Sequence, residues 1–300
     1  MSKIDLSGIL VPVTTPFQST TGDVDGEGFR GNLRSLLSHP VRGIVVGGST
    51  GEAMLLDEAE RNALLHVARE EVSEGRLLLA GTGVESTRAT IRLTRRAADL
   101  GVDAVLVQPP SFYKSNMTPA VLREHYVAVA DASPVPVILY QVPPKFSTVE
   151  LATGLVGELA QHPNIVGIKD SRGVLDELAQ LSQAGGPDFQ VLVGNGAQLL
   201  GGLTVGSVGG ILGVANLAPA ECVALLEAHG TGDSQKAGAL QEQVGPVHVE
   251  VVGKRGVAGV KHALDLLGLT GGRPRLPLVP LSENEKNAVA DALRRGGLLD

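Results

Sequence analysis

Lys169 closes the apolar run Asn164-Ile-Val-Gly-Ile-Lys-Asp-Ser171, and Tyr140 closes an equivalent run, Val135-Pro-Val-Ile-Leu-Tyr140, 29 residues earlier. An amine at the mouth of a buried strand loses hydration, which disfavours its ammonium form, and the neutral amine can attack a carbonyl to form a Schiff base. A phenol beside it can carry the protons that such a reaction releases and consumes. Taken alone, a lysine at a strand end is a solvated charge on an apolar stem. A third segment argues against that reading: Gly47-Gly-Ser-Thr-Gly-Glu52 ends another apolar run with exposed amides and two hydroxyls. A nest of this kind holds a carboxylate, although by itself it would be a strand-to-helix turn that uses glycine for backbone freedom.

These groups must be positioned by the elements that carry them. Eight short apolar runs alternate with segments of helical period: Gly8–Thr14, Gly43–Gly47, Leu77–Gly81, Ala104–Gln108, Val137–Tyr140, Val166–Lys169, Gln190–Gly194 and Val208–Leu212. They are apolar throughout, without alternation, as expected of parallel strands covered on both faces. The pattern predicts the α/β class and a (β/α)8 TIM barrel with a C-terminal helical appendage. The barrel is expected over residues 1–218, with its final helix and the C-terminal helices over 219–300 packed into the same unit. In such a barrel chemistry gathers at the C-terminal ends of the strands, where Ser49, Tyr140 and Lys169 fall. Capping boxes are expected at Asp57–Glu60, Ser147–Glu150 and Ser282–Glu285, a Pro-led helix start at Thr118-Pro119, and a cap at Ser86.

Composition narrows the function. A chain of 300 residues with 43% hydrophobic content suits one large domain, and a net charge of −7 leaves no clustered basic surface for nucleic acid. No signal-peptide core or membrane span is evident, so a soluble cytoplasmic protein acting on small molecules is expected. The single cysteine, Cys222, is expected to be a buried small hydrophobe. The seven histidines show no metal-ligand spacing, and His248 has no partner at helical distance. No metal or cofactor is expected beyond a covalent lysine imine with the substrate. Gly81-Thr-Gly-Val-Glu-Ser86 lacks the third glycine and the context of a dinucleotide fingerprint. The glycines from Gly194 to Gly213 are expected to allow close packing and shape the pocket.

Gly48-Ser-Thr-Gly-Glu52, Tyr140-Gln-Val-Pro143, Gly167-Ile-Lys-Asp-Ser171 and Gly209-Gly-Ile211 together resemble the dihydrodipicolinate synthase / N-acetylneuraminate lyase superfamily of pyruvate-dependent class I aldolases. The resemblance covers nearly the whole chain. It implies that Lys169 forms the Schiff base, that Tyr140 is the general acid/base, and that Ser49 and Thr50 hold the pyruvate carboxylate. Gly48, Ser171 and the backbone around Ile211 join the substrate-binding set. Tyr113 matches a tyrosine that family members insert into a neighbouring subunit's site, extending a Tyr140–Ser49–Tyr113 hydroxyl chain. That implies a homo-oligomer, a dimer or a dimer of dimers (homotetramer).

Departures from the pattern bear on the substrate. Dihydrodipicolinate synthases carry an arginine five residues after the strand-five tyrosine, where this chain has Lys145, which keeps the charge and loses the bidentate fork. Lys145 is either a substrate-carboxylate ligand or a loop charge. Val107-Gln-Pro-Pro110, His162–Ser171 and Pro277–Ser282 look more like 4-hydroxy-2-oxoglutarate aldolases. The expected partners are therefore a 2-oxoacid and an aldehyde. The alternatives are dihydrodipicolinate synthase, a 2-keto-3-deoxy sugar acid aldolase or dehydratase, and a non-catalytic 2-oxoacid-binding barrel.

Overall fold

The structure, a computed structural model, describes residues 4–300. Strands β1 (Gly8–Pro12), β2 (Gly43–Val46), β3 (Leu77–Gly81), β4 (Ala104–Val107), β5 (Val137–Gln141), β6 (Ile165–Asp170), β7 (Gln190–Val193) and β8 (Gly209–Ile211) close in that order into a parallel barrel, with β8 beside β1. Their ends fall within two residues of the expected runs. Helices α1 (Gly26–Leu37), α2 (Glu58–Glu71), α3 (Thr87–Asp99), α4 (Pro119–Ala132), α5 (Thr153–Leu159), α6 (Leu175–Gly185), α7 (Leu199–Thr204) and α8 (Pro219–Gly230) follow the successive strands. The chain then adds α9 (Ser234–Val247), a π-helix (His248–Gly253), α10 (Lys254–Leu266) and α11 (Glu283–Arg295). Among the described residues no helix is long and apolar enough to cross a membrane.

Two apolar layers explain the continuous hydrophobicity of the strands. Leu10, Val45, Leu79, Leu106, Ile138 and Leu192 fill the barrel interior, while their neighbours Val11, Ile44, Leu78, Val105, Leu139 and Val193 pack outward against the helices. Each fully buried side chain of this size contributes about 1.5–3 kcal/mol. Cys222 is buried in the outer layer, and burial pushes its thiol pKa up.

β6 departs from strict alternation, and that departure aims Lys169. Val137 pairs with Ile165 but Ile138 pairs with Gly167, so Val166 is an extra residue in the ladder. Ile165 and Ile168, three apart, therefore both face the outer layer. The bulge returns Lys169 to the inward face, in register with Tyr140. Gly167 is needed there, because a Cβ would sit 2.3 Å from the Gln190 carbonyl oxygen.

Local capping accounts for most helix starts. Both halves of the capping boxes at Asp57/Glu60 and Ser282/Glu285 form, Thr118 accepts from the Val121 amide ahead of Pro119, and Ser86 accepts from the Ala89 amide. The box expected at Ser147–Glu150 does not form, since α5 begins at Thr153 behind Ala152, which offers no side-chain cap. Ser147 instead accepts from the Val149 amide within a local turn. Gln141 accepts from the Leu151 amide and donates to the Val149 carbonyl, holding that segment out of the helix.

Candidate active site

Tyr140 and Lys169 stand side by side at the C-terminal ends of β5 and β6, 4% and 6% exposed, with the lysine Nζ 4.2 Å from the centre of the phenol ring. Burial alone would raise the Tyr140 pKa. The charge of Lys169 and hydrogen bonds to the phenol oxygen from Ser49, Ser171 and Lys169 outweigh it, and hold the phenol below its ordinary value of 10. A phenol so placed ionises more readily than a free one, so more of it is available as phenoxide near neutral pH.

The Ser49–Gly51 segment after β2 is a single 3-10 turn. The Gly48 carbonyl accepts from the Gly51 and Ala53 amides, and Thr15 Oγ1 donates to the Gly51 carbonyl at 2.7 Å. The turn ends at Glu52, whose φ of 56° is left-handed. That conformation costs a residue with a Cβ on the order of 1 kcal/mol. Its carboxylate is anchored twice: the Arg275 amide donates to Oε2 at 2.7 Å, and Lys261 Nζ lies 2.5 Å from Oε1, with both side chains of the ion pair wholly buried. Burial pulls the Lys261 pKa down and the Glu52 charge opposes it.

A cavity of about 290 Å³ joins these groups. Ser49, Thr50, Tyr140, Lys145, Lys169 and Ser171 line it together. Gly48 stands behind the turn, Ile211 is buried in the barrel interior, and Gly213, two residues further on, lines the cavity instead. Tyr113 lies outside the cavity of its own chain, 69% exposed and edge-on to Phe112. Lys145 Nζ donates to the Gly253 carbonyl at 2.8 Å and, more weakly, to that of Val252 at 3.4 Å. Burial lowers its pKa. Gly194 leaves room for Ser171, since a Cβ would meet Ser171 Oγ at 2.0 Å.

Three further residues line the cavity without having been singled out for it. Arg172, directly after the Lys-Asp-Ser motif, binds Asp170 through Nε and Nη2 and pairs with Glu177 through Nη1. Its place beside that motif was the available signal. Asn195 accepts from the Ala197 amide through its side-chain oxygen. His248 does have a partner, though a distant one in sequence: Nδ1 accepts from the Gly196 amide at 3.2 Å. Burial, aided by the charge of Lys145, pushes its pKa down to about 4. Nothing in the local sequence could foretell that contact, because the appendage carries His248 to the barrel mouth.

The profile of the dihydrodipicolinate synthetase family matches residues 5–295. The chain belongs to that family. It is 37% identical over 290 residues to a 4-hydroxy-tetrahydrodipicolinate synthase of Exiguobacterium sp., covering 96% of this chain and 97% of the relative. It is also 37% identical over 289 residues to an Emericella nidulans protein named "Probable 4-hydroxy-2-oxoglutarate aldolase, mitochondrial", covering 95% of this chain and 93% of that one. The crystal structure of the chloride-inhibited dihydrodipicolinate synthase from Acinetobacter baumannii complexed with pyruvate superposes with a TM-score of 0.93 at 32% identity, covering 98% of this chain and 100% of that one. The protein is thus a pyruvate-dependent class I aldolase, a carbon–carbon lyase of a family that works through a covalent lysine imine.

Proposed function

We propose that this dihydrodipicolinate synthetase family member cleaves or forms a 4-hydroxy-2-oxoacid of the 4-hydroxy-2-oxoglutarate type in the cytoplasm. Lys169 Nζ attacks the C2 ketone, and loss of water leaves a cationic imine. Tyr140 takes the proton of the C4 hydroxyl, the C3–C4 bond breaks, and the aldehyde leaves while its bonding pair moves into an enamine. Protonation of the enamine at C3 and hydrolysis of the imine then release pyruvate and free Lys169. In the synthetic direction the enamine attacks the aldehyde. Ser49 and Thr50 hold the 2-oxoacid carboxylate, and Ser171 and Lys145 face the rest of the substrate. The observation that carries this reading is the inward pair Tyr140 and Lys169, with Ser49 and Ser171 bonded to the phenol.

Incubation with pyruvate and borohydride should add a covalent mass to the peptide that contains Lys169, and Lys169→Arg should abolish it. Trapping on another lysine, or none in active protein, would refute the assignment. The name of the Exiguobacterium relative supports a second reading, condensation of pyruvate with aspartate semialdehyde. Lys145 in place of the synthases' arginine weighs against it, and pyruvate release from a panel of 2-oxoacids separates the two.

Assembly as a homodimer or dimer of dimers is part of the proposal. Tyr113 and Phe112, 69% and 76% exposed, form an aromatic edge outside their own site, suited to completing a neighbour's hydroxyl chain.

A further inference from the structure

We infer that the buried Glu52–Lys261 ion pair is a positioning device that fixes the Ser49–Gly51 turn for binding the 2-oxoacid carboxylate, tying the helical appendage to the chemistry of the barrel. The inference rests on the reading that Ser49 and Thr50 hold that carboxylate.

Neither member of the pair lines the catalytic cavity, yet the pair sits at the end of the turn that does. Glu52 follows Gly51 directly and holds a left-handed backbone, a conformation that glycine adopts without steric cost. A glutamate there needs an anchor, and the anchor comes from the far end of the chain. Lys261 on α10 pairs with Oε1, while the Arg275 amide donates to Oε2. Lys261 Nζ also donates to the Arg273 carbonyl at 2.9 Å and lies 4.3 Å from the centre of the Phe17 ring. The guanidinium carbon of Arg275 lies 4.1 Å from the same ring centre. Two residues before Phe17, Thr15 holds the Gly51 carbonyl. Three remote segments therefore converge on residues 51 and 52.

Stability alone does not explain such a pair. Desolvating two charges offsets their attraction, and well-packed neutral residues of similar volume are often as stable or more so. Direction is what the pair supplies: an ammonium that donates to the Arg273 carbonyl and pairs with Glu52 fixes where the turn ends. Ser49 and Thr50 stand three and two residues before Glu52, so a turn that relaxes moves both hydroxyls at once.

The test uses the full chain and two readouts, the pyruvate concentration that half-saturates borohydride trapping and the thermal midpoint. Glu52→Gln combined with Lys261→Met leaves no buried charge and should melt close to the wild type. It should nevertheless need about tenfold more pyruvate, or beyond, for half-saturation, because displacement of about 1 Å at a positioning group costs up to about 10²-fold. Lys169 should remain the trapped residue at saturation. Should the double variant not fold, Glu52→Asp, which keeps both charges and retracts the carboxylate by one methylene, serves the same comparison. Wild-type half-saturation in either folded variant overturns the inference. If the wild type itself traps no pyruvate, the functional reading fails and the inference falls with it, an outcome distinct from trapping that is indifferent to Glu52.

Discussion

Two imidazoles, His125 and His248, are folded into the interior with pKa values that burial pushes down to about 4. His125 shares a hydrogen bond of 2.9 Å with Thr87 and its Nε2 has no partner among the described residues, while His248 faces the Gly196 amide and the charge of Lys145. In the unfolded chain both titrate near pH 6.5. Between about pH 6.5 and 4 the unfolded chain therefore binds protons that the folded chain refuses. Stability is complete above that window and falls as the pH drops through it. Working the linkage between pH 7 and pH 5 gives a loss of about 2 kcal/mol for each imidazole, hence about 4 kcal/mol for both, a large part of a typical 5–15 kcal/mol total. Asp5 and Glu60, whose pKa values hydrogen bonds lower from 3.8 and 4.5, lose their contributions only as the pH falls through and below those values, outside the range from pH 7 to 5. Equilibrium urea unfolding at pH 7, 6 and 5 measures the effect. Each of His125→Gln and His248→Gln should remove about half of what this pair contributes to the acid loss, and the double variant leaves the share of His262, a half-buried imidazole whose pKa burial also lowers. An acid loss as steep in the double variant as in the wild type would refute the reasoning, because other groups would then have to take up the protons.

Three further outcomes follow from the site. Tyr140→Phe should lower turnover by about 10²–10⁴-fold while Lys169 is still trapped by pyruvate and borohydride, and near-normal turnover would assign the proton transfer elsewhere. Gly167→Ala drives a Cβ to 2.3 Å from the Gln190 carbonyl oxygen, so β6 must shift. That strain should cost about 1–3 kcal/mol in unfolding experiments and lower turnover with it. Co-refolding Lys169→Ala with Tyr113→Phe should give more activity than the sum of the separate variants, because some sites then combine an intact Lys169 with a neighbour's Tyr113. Equal activity in proven heterodimers would mean that Tyr113 acts in its own chain or does not act.

The strands and most helix starts were legible because hydrophobic runs and capping residues act locally. Asp57 and Ser282 choose their partners within three residues, and no tertiary contact has to intervene. Ser147 has the same local pattern, but a competing turn and the side chain of Gln141 claim its segment. Lys169 and Tyr140 were legible by type and position, whereas the inward aim of Lys169 was not. Strict alternation from Ile165 would turn Lys169 outward, and the bulge that prevents this is marked in the sequence only by Gly167. Arg172 was within reach as a charge directly after a reactive motif. His248 and Lys261 were beyond it, since their contacts with Gly196 and Glu52 depend on how the appendage docks across the barrel mouth.

That docking divides the site between two kinds of scaffold. Strand ends carry Lys169 and Tyr140, set in register in the hydrogen-bonded ladder. One wall of the same cavity, including His248, Val252 and Val257, comes from helices that contribute nothing to the ladder. On the function proposed above, changes between residues 248 and 260 reshape that wall while Lys169 and Tyr140 stay as they are. The shape of the cavity and the pair at the strand ends are thus set by separate stretches of the chain, and one can be altered without touching the other.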